Sequence, residues 1–469
     1  MRLSPKRSLA VATLGALASA GGCKDAVTVP DLNNVPSTTI ENGLTPSTLQ
    51  LLTTGAFNAN RTDAGFRYIV FGETLGRNVY NIDPSESRFI TQPLGGTIDP
   101  GGFLGGGSWA GFFNTVRTAN VIIDKLPTLA DSLSATQIAA TRGALRTLKA
   151  LSFYDALSLR GTNGIPIDVN KDVTAQPGPI LCQPNALAAI AALLDSAYTD
   201  LQGGGTTFPF KLPGGFSLNG NFSTVAGFAQ FNRALKGRVE VYRGLDQIKP
   251  DPSAFQRAIT ALNASFLDVT APLDRGVYYT YSTAPNEQPN PLATSTIFLN
   301  PTVGDSIQAG DRRASKITTV TATTRSGVTT RYKSPLSDPG ATNQVRSIPL
   351  IRNAELILLR AQAEIGLGQL AAATADANVV RVGEGGPTLT PYSTFATAKQ
   401  AITSVLYEKR YSLLLEGDTR LVDLRTYGLL NATYQPSART GDTFQTQLPI
   451  PKTETDARGG VQNAVAVCN

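Results

Sequence analysis

Two stretches of the sequence combine flat aromatic rings with amide and guanidinium groups. Residues 66–80 read FRYIVFGETLGRNVY, and residues 277–290 read VYYTYSTAPNEQPN. Aromatic faces stack on sugar rings, and amide or charged side chains hydrogen-bond to sugar hydroxyls. The second stretch is the better candidate for a ligand wall, although any one of these aromatic residues could instead pack inside the fold. The candidate ligand-binding side chains are Tyr278, Tyr279, Tyr281, Asn286, Gln288, Phe66, Tyr68, Arg77, Asn78 and Tyr80.

The composition restricts the catalytic chemistry. The chain has no histidine, which is the commonest general base and metal ligand. We therefore expect that the protein has no cofactor and no metal site, and that it is not an enzyme. A glycoside hydrolase, the distant alternative, needs two carboxylates with separated pKa values. Glu408, Glu416 and Asp423 lie close in sequence. However, Arg420 follows Glu416 by four residues and precedes Asp423 by three, which is helical ion-pair spacing and predicts a structural role.

Length and charge limit the class of protein. A chain of 469 residues with 41% hydrophobic and 16% charged residues fits one large helical domain or two ordinary ones. The formal net charge is +6, but three of the positive residues lie within the first seven. No dense run of Lys and Arg follows, so we expect no nucleic-acid partner.

The N-terminus has the layout of a secretory signal. A positive segment precedes an apolar run at residues 9–18, which is too short to span a bilayer. Small residues then lead to Cys23, the position at which bacterial lipoproteins carry a lipidated cysteine, although Ala20 stands where Leu is usual. We expect residues 1–22 to be removed and residues 23–48 to form a lipid anchor and tether. The alternative is an ordinary cleavage site that leaves Cys23 unmodified.

Two further cysteines, Cys182 and Cys468, could form one disulfide in an exported chain. Their separation in sequence does not decide whether they meet, so both the paired and the unpaired state stay open.

The elements that must position these side chains are mostly helical. Small residues recur at a step of seven in Gly237 and Gly244, and again in Ala361 and Gly368. This recurrence favours tetratricopeptide-type hairpins, in which two helices approach closely. The Thr-, Pro- and Ser-rich stretch 270–345 is predicted as loops and short strands. Apolar spacing predicts helices over 46–60, 108–126, 134–159, 184–201, 223–244, 348–369, 370–381 and 397–427.

Two C-terminal stretches, 351–386 and 406–428, resemble the RagB/SusD family of outer-membrane nutrient-binding lipoproteins. LPIPKTE at 448–454 is similar to the Pro-Ile-Pro-x-x-Glu stretch near the end of family members. Departures from the family pattern are Gln362, Lys409 and Ser412. The matching positions are Arg352, Ala354, Glu355, Ala361, Ala363, Gly368, Asn378, Arg381, Glu408, Glu416, Gly417, Arg420, Asp423, Leu424 and Arg425.

The resemblance implies a mostly α SusD-like fold, in which tetratricopeptide-type helix hairpins form a scaffold packed against a loop-rich second half. Residues 49–469 would form a single domain with the insertion at about 270–345. The resemblance also implies a lipid anchor at Cys23, display on the cell surface of the outer membrane and a SusC-like TonB-dependent β-barrel as partner. The expected function is to bind a nutrient, an oligosaccharide or another small molecule, and to deliver it to that transporter. The alternative is a helical-repeat interaction subunit with no small-molecule site.

Overall fold

Helices dominate the computed structural model, which describes residues 43–169 and 177–460. The predicted signal peptide, Cys23, most of the tether and Cys468 lie outside these residues. The helices are α1 (Pro46–Asp63), α2 (Phe71–Leu75), α3 (Arg88–Gly95), α4 (Ala110–Lys125), α5 (Ala135–Arg160), α6 (Gln183–Gln202), α7 (Val225–Gly244), α8 (Ser253–Asn263), α9 (Pro301–Asp305), α10 (Ala341–Gln344), α11 (Asn353–Gly366), α12 (Leu370–Gly385), α13 (Ala398–Ser412), α14 (Thr419–Thr426) and α15 (Lys452–Asp456).

The strands are short and antiparallel. They are β1 (Val79–Asn81), β2 (Ile165–Pro166), β3 (Ile180–Leu181), β4 (Gly276–Tyr279), β5 (Ile297–Leu299), β6 (Thr318–Arg325), β7 (Val328–Lys333) and β8 (Ile348–Arg352). One sheet has the order β1-β5-β7-β6, while β2 pairs with β3 and β4 pairs with β8. Residues 270–345 therefore contain loops and short strands, as predicted, together with the short helices α9 and α10.

The longest helix, α5, begins as its sequence predicts. Ser134 is the N-cap, and its side chain accepts a hydrogen bond from the backbone N–H of Gln137 at 3.2 Å. The Gln137 side chain in turn accepts from the backbone N–H of Ser134 at 3.0 Å. This capping box satisfies two amides that the first turn would otherwise leave without partners.

Consecutive helices pack in pairs, notably α5 on α6, α7 on α8 and α11 on α12. Small residues make these approaches close. A methyl group at Gly237 would lie 2.5 Å from a side-chain carbon of Leu262, and one at Gly244 would lie 2.5 Å from the ring of Phe255. Gly368 turns the chain between α11 and α12 with a φ of +75°, a conformation that favours glycine. The predicted helix hairpins are therefore confirmed, except that residues 348–352, predicted as the start of a helix, form strand β8.

The core runs through both halves of the described chain. Trp109 is 6% exposed, and its ring lies 4.4 Å from that of Phe113. The predicted helix over 397–427 is broken, because α13 ends at Ser412 and α14 begins at Thr419. Leu415, between them, has a φ of +63°. Within the described residues, no helix combines the length and the apolar character needed to cross a membrane.

Candidate functional site

Half of the predicted ligand residues are buried and bound to other parts of the protein. The hydroxyl of Tyr68 donates to Asp418 Oδ1 at 2.8 Å, and the Arg77 guanidinium forms a bidentate ion pair with Asp442 at 2.9 Å. Side chains with so little exposed surface have no face to offer a ligand in this conformation. The buried members are Tyr68, Arg77, Asn78, Tyr80 and Tyr281.

The remaining predicted residues do not converge on one wall. The Tyr279 hydroxyl donates to Asn60 Oδ1 at 2.9 Å, while Asn286 is exposed and has a φ of +65°. Gln288 is partly buried and accepts a hydrogen bond from Thr62 at 3.3 Å. Tyr278 lines a polar cleft described below. The side chain of Phe66 lies outside what the structure describes, and the ligand role of these residues stays a prediction.

The predicted ion pairs of Arg420 are wrong. Glu416 lies in the break between α13 and α14, where it pairs with Arg352 at 2.6 Å. Asp423 pairs with Lys409 at 2.7 Å. Glu416 lies outside the helix that holds Arg420, so helical spacing does not apply to that pair. Asp423 shares α14 with Arg420 but bonds to Lys409 of α13 instead. Both carboxylates are therefore ion-paired, but with Arg352 and Lys409 and not with Arg420.

The polar cleft has a volume of about 580 Å³ and is here called the ion-paired cleft. Its Arg352 bonds to both Glu384 and Glu416. Its Arg313 bonds to Asp311 at 2.7 Å and pairs with Glu408 at 2.6 Å. The buried charges of this cleft are thus neutralised within the protein. The charged lining residues are Asp274, Arg312, Arg313, Lys316, Arg346, Arg352, Glu384 and Glu416.

A second cleft, of about 630 Å³, lies along α13, α14 and residues 427–435 and is here called the aromatic cleft. Its volume falls within the range of about 300–1,000 Å³ that is usual for small-molecule sites. Tyr407 and Tyr411 are four residues apart on α13, so they share one face of that helix. The lining includes the aromatic and aliphatic residues Tyr407, Tyr411, Tyr427, Tyr434, Ile402, Leu406, Leu424 and Leu429.

Hydrogen bonds hold the inner tyrosines in place. The Tyr407 hydroxyl donates to Asp311 Oδ2 at 2.9 Å and accepts from the backbone N–H of Gln308 at 2.9 Å. The Tyr427 hydroxyl accepts from Gln362 at 3.3 Å. Tyr434, in contrast, is 54% exposed. The cleft therefore has a rigid aromatic floor and one accessible ring at its edge.

The polar side chains of the aromatic cleft are cationic or neutral. Lys399, Arg410, Arg420 and Gln435 contribute to the lining, and no Asp or Glu does among the described residues. Arg410 donates only to neutral acceptors, to Asn78 Oδ1 at 3.0 Å and to Thr302 Oγ1 at 2.7 Å, in the hydrogen bonds that the structure shows.

Arg420 is the exceptional group of this cleft. Its Nε is enclosed and finds no hydrogen-bond acceptor in the part of the chain that the structure describes. Burial, together with the positive charge of Arg410, lowers the pKa of the Arg420 guanidinium to about 9. The surroundings therefore disfavour its positive charge.

Two of the carboxyl groups with raised pKa values lie in a separate small cavity. Burial raises the pKa of Asp155 to about 8, and burial also raises the pKa of Asp418. Both line a cavity of only about 20 Å³. This space holds about one water molecule, so a sugar ring cannot reach the two groups.

Cys182 is buried and disulfide-bonded. Cys23 and Cys468 lie outside the described residues, so the Cys182–Cys468 pairing stays a prediction. Within the described residues, no group of three Cys, Asp or Glu side chains could hold a metal ion.

No family model matches this sequence, and no curated protein does. Solved structures, however, match most of the chain. Surface glycan-binding protein A from Bacteroides uniformis is 16% identical, with a TM-score of 0.68 and coverage of 90% of this chain and 100% of that one. A SusD superfamily protein from Bacteroides thetaiotaomicron is 15% identical, with a TM-score of 0.67 and coverage of 90% and 100%. A SusD-like carbohydrate-binding protein from Bacteroides fragilis is 14% identical, with a TM-score of 0.62 and coverage of 87% and 98%.

These matches confirm the mostly α, SusD-like fold that the C-terminal motifs predict. They do not show which residues of this protein bind a ligand, because at about 15% identity most side chains differ between the proteins. The aromatic cleft was not predicted from the sequence. Its detectable signal was the pattern of Tyr407, Arg410 and Tyr411 at helical spacing, followed by Tyr427 and Tyr434.

Proposed function

We propose that this protein is a cell-surface lipoprotein that binds an oligosaccharide in the aromatic cleft and delivers it to a TonB-dependent outer-membrane transporter. The observation that carries the binding site is the convergence of four tyrosines with guanidinium and amide groups in one open cleft. Two solved structures with the same fold are described as glycan-binding or carbohydrate-binding proteins, which supports a saccharide as the ligand.

The chemistry of the cleft suits a sugar. Sugar rings present C–H faces that pack on aromatic rings, and their hydroxyls need donors and acceptors in fixed positions. Tyr434 offers an exposed ring, while Tyr407 and Tyr427 are fixed by their hydroxyl hydrogen bonds. Arg410 and Gln435 add polar groups beside them. A preformed site of this kind loses little conformational entropy on binding.

Binding without hydrolysis is the proposed mode of action. Glycoside hydrolysis uses two carboxyl groups that flank the scissile bond. The described lining of the aromatic cleft contains neither Asp nor Glu, and the cavity beside Asp155 and Asp418 is too small for a sugar. Release of the intact ligand to a transporter is consistent with this arrangement.

Anchoring and delivery rest on the sequence. The positive segment, the apolar run and Cys23 are typical of a lipoprotein signal, and the family resembled by the C-terminal motifs works with a SusC-like β-barrel. Mass spectrometry of the protein purified from membranes tests the anchor, since a mature chain that begins at an unmodified residue contradicts it. Co-purification of a TonB-dependent barrel tests the partnership.

The binding site is tested by isothermal titration calorimetry against an oligosaccharide panel. Replacing Tyr434 by Ala removes the exposed ring, and we expect the dissociation constant of the bound saccharide to rise by about 5- to 30-fold, equivalent to about 1–2 kcal/mol. Phe103→Ala is the matched control, because Phe103 is also a partly exposed aromatic residue and lies outside this cleft. Failure of every saccharide, with the barrel still co-purifying, would instead favour an interaction subunit.

A further inference from the structure

Arg420 of the aromatic cleft differs from Arg238 and Arg381, two arginines that are buried elsewhere in the described chain. Arg238 is paired with Glu355 at 2.7 Å, and Arg381 with Glu408 at 3.0 Å. Each guanidinium thus meets a carboxylate that offsets the free energy lost when the cation leaves water. Arg420 has no such contact among the described residues, and its Nε has no acceptor at all.

The two carboxylates whose charges act on Arg420 are already engaged. Glu73 accepts from the backbone N–H of Leu415 at 2.7 Å and from Asn78 Nδ2 at 2.7 Å. Asp423 is bound to Lys409 at 2.7 Å. Both carboxylates influence Arg420 through space, but neither hydrogen-bonds to it in the structure. Within the described residues, the structure therefore shows no carboxylate bonded to Arg420.

The rest of the cleft increases the positive potential at this point. Arg410 stands beside Arg420, and Lys399 adds a third cation to the lining, with no acidic side chain among the described lining residues. Two neighbouring guanidinium groups repel each other, and that repulsion is strongest where water is excluded. An anion placed beside the two guanidinium groups would relieve that repulsion.

We infer that the aromatic cleft takes an acidic saccharide, whose carboxylate or sulfate oxygens bond to Arg420 beside Arg410 while its ring packs on the tyrosines. This inference rests on the proposed function, because it names the class of sugar that the same site binds. A guanidinium presents donors in a fixed fork that matches planar or tetrahedral oxyanions. Tyr434 and Tyr427 lie along the same cleft and supply the apolar contact that a free inorganic anion could not use.

The test compares matched ligands by isothermal titration calorimetry on the full-length protein. An oligogalacturonate carries carboxylates, and its methyl ester has the same length without the charge. A sulfated oligosaccharide and its desulfated form provide the second pair and distinguish the two sources of anionic oxygen. We expect the charged member of at least one pair to bind at least about tenfold more tightly than its neutral partner.

Two variants test whether Arg420 causes the preference for the charged ligand. We expect Arg420→Gln to reduce the preference for the charged ligand to about twofold or less while the affinity for the neutral ligand changes little. Arg346→Gln is the matched control, because Arg346 is an exposed arginine in the ion-paired cleft, and it should keep the full preference. If Arg420→Gln does not fold, the wild-type comparison of acid with ester still decides the ligand class.

The outcomes are distinct. Equal binding of acid and ester, and of sulfated and desulfated sugar, would overturn the inference and leave saccharide binding intact. A preference that persists in Arg420→Gln would also overturn it, because another cation would then be the contact. Failure of all four ligands, together with the wider panel, would count against the proposed function itself.

Discussion

The ion-paired cleft and the aromatic cleft have similar volumes, about 580 and 630 Å³, and both contain arginines. In the first, Arg313 and Arg352 are enclosed by carboxylates of the protein. In the second, Arg410 meets neutral acceptors and Arg420 lacks an acceptor at Nε within the described residues. The residue type alone therefore does not indicate function. What differs is whether the fold supplies the counter-charge.

The comparison has an energetic basis. Removing one member of a buried ion pair leaves an uncompensated charge, which destabilises a protein by about 3–5 kcal/mol. A partly buried cation that already lacks a counter-ion carries that penalty in the folded state, and a bound anion offsets it. Arginines paired with carboxylates of the protein stabilise the fold, whereas arginines without such partners favour the binding of an anion. Measurements of stability test this distinction between paired and unpaired buried charges.

The largest effect is expected at Glu408, which is fully buried and pairs with Arg313 at 2.6 Å and Arg381 at 3.0 Å. Glu408→Gln keeps the shape of the side chain but leaves two guanidinium groups without their shared counter-charge. We expect the free energy of unfolding to fall by about 3–5 kcal/mol, measured by urea denaturation.

The control for this prediction is the exposed pair of Lys452 and Asp456, which lie 2.7 Å apart. Asp456→Asn should change the stability by less than about 1 kcal/mol, because water screens exposed charges. Equal effects of Glu408→Gln and Asp456→Asn would show that pairing in the ion-paired cleft does not stabilise the fold.

The second effect concerns Asp155, a buried carboxyl whose Oδ2 has no hydrogen-bond partner in the described structure. Burial raises its pKa from 3.8 to about 8 in the folded state. Between these values the folded state binds more protons than the unfolded state, so stability falls as the pH rises. The slope for one proton is at most about 1.4 kcal/mol per pH unit.

Asp155→Asn removes this proton linkage. We expect the variant to become progressively more stable relative to the wild type between about pH 4 and pH 8, the interval that the pKa shift defines, with a constant difference above it. Thermal unfolding at a series of pH values measures this. A stability difference independent of pH would mean that nearby Arg238 compensates the charge of Asp155 completely.

The sequence predicted the helical scaffold better than the clefts. Apolar spacing and the Ser134 cap are local signals, and the structure follows them at α5. The pairing of Glu416 with Arg352 depends on residues 64 positions apart, which helical spacing cannot indicate. Aromatic composition likewise did not show that Tyr68 and Tyr80 point inward, because their hydroxyl partners, Asp418 and Asn300, come from distant segments.

The smallest stability effect is expected at Arg420. In the absence of ligand, Arg420→Gln removes a cation that the surroundings disfavour and that repels Arg410. The substitution also removes part of the aliphatic stem and the attraction of Glu73 and Asp423. These losses nearly cancel the gain from removing the unfavourable charge. We expect the free energy of unfolding to rise by about 0.5 kcal/mol, and to change by no more than about 1 kcal/mol in either direction.

The sign of this small change sharpens the comparison with Glu408→Gln, which should be destabilising by several times as much. Urea denaturation of both variants under the same conditions measures the difference. A loss of about 2 kcal/mol or more in Arg420→Gln would place Arg420 among the structural arginines, because such a loss requires favourable contacts of its charge within the protein. A neutral or stabilising result leaves its positive charge available to a ligand.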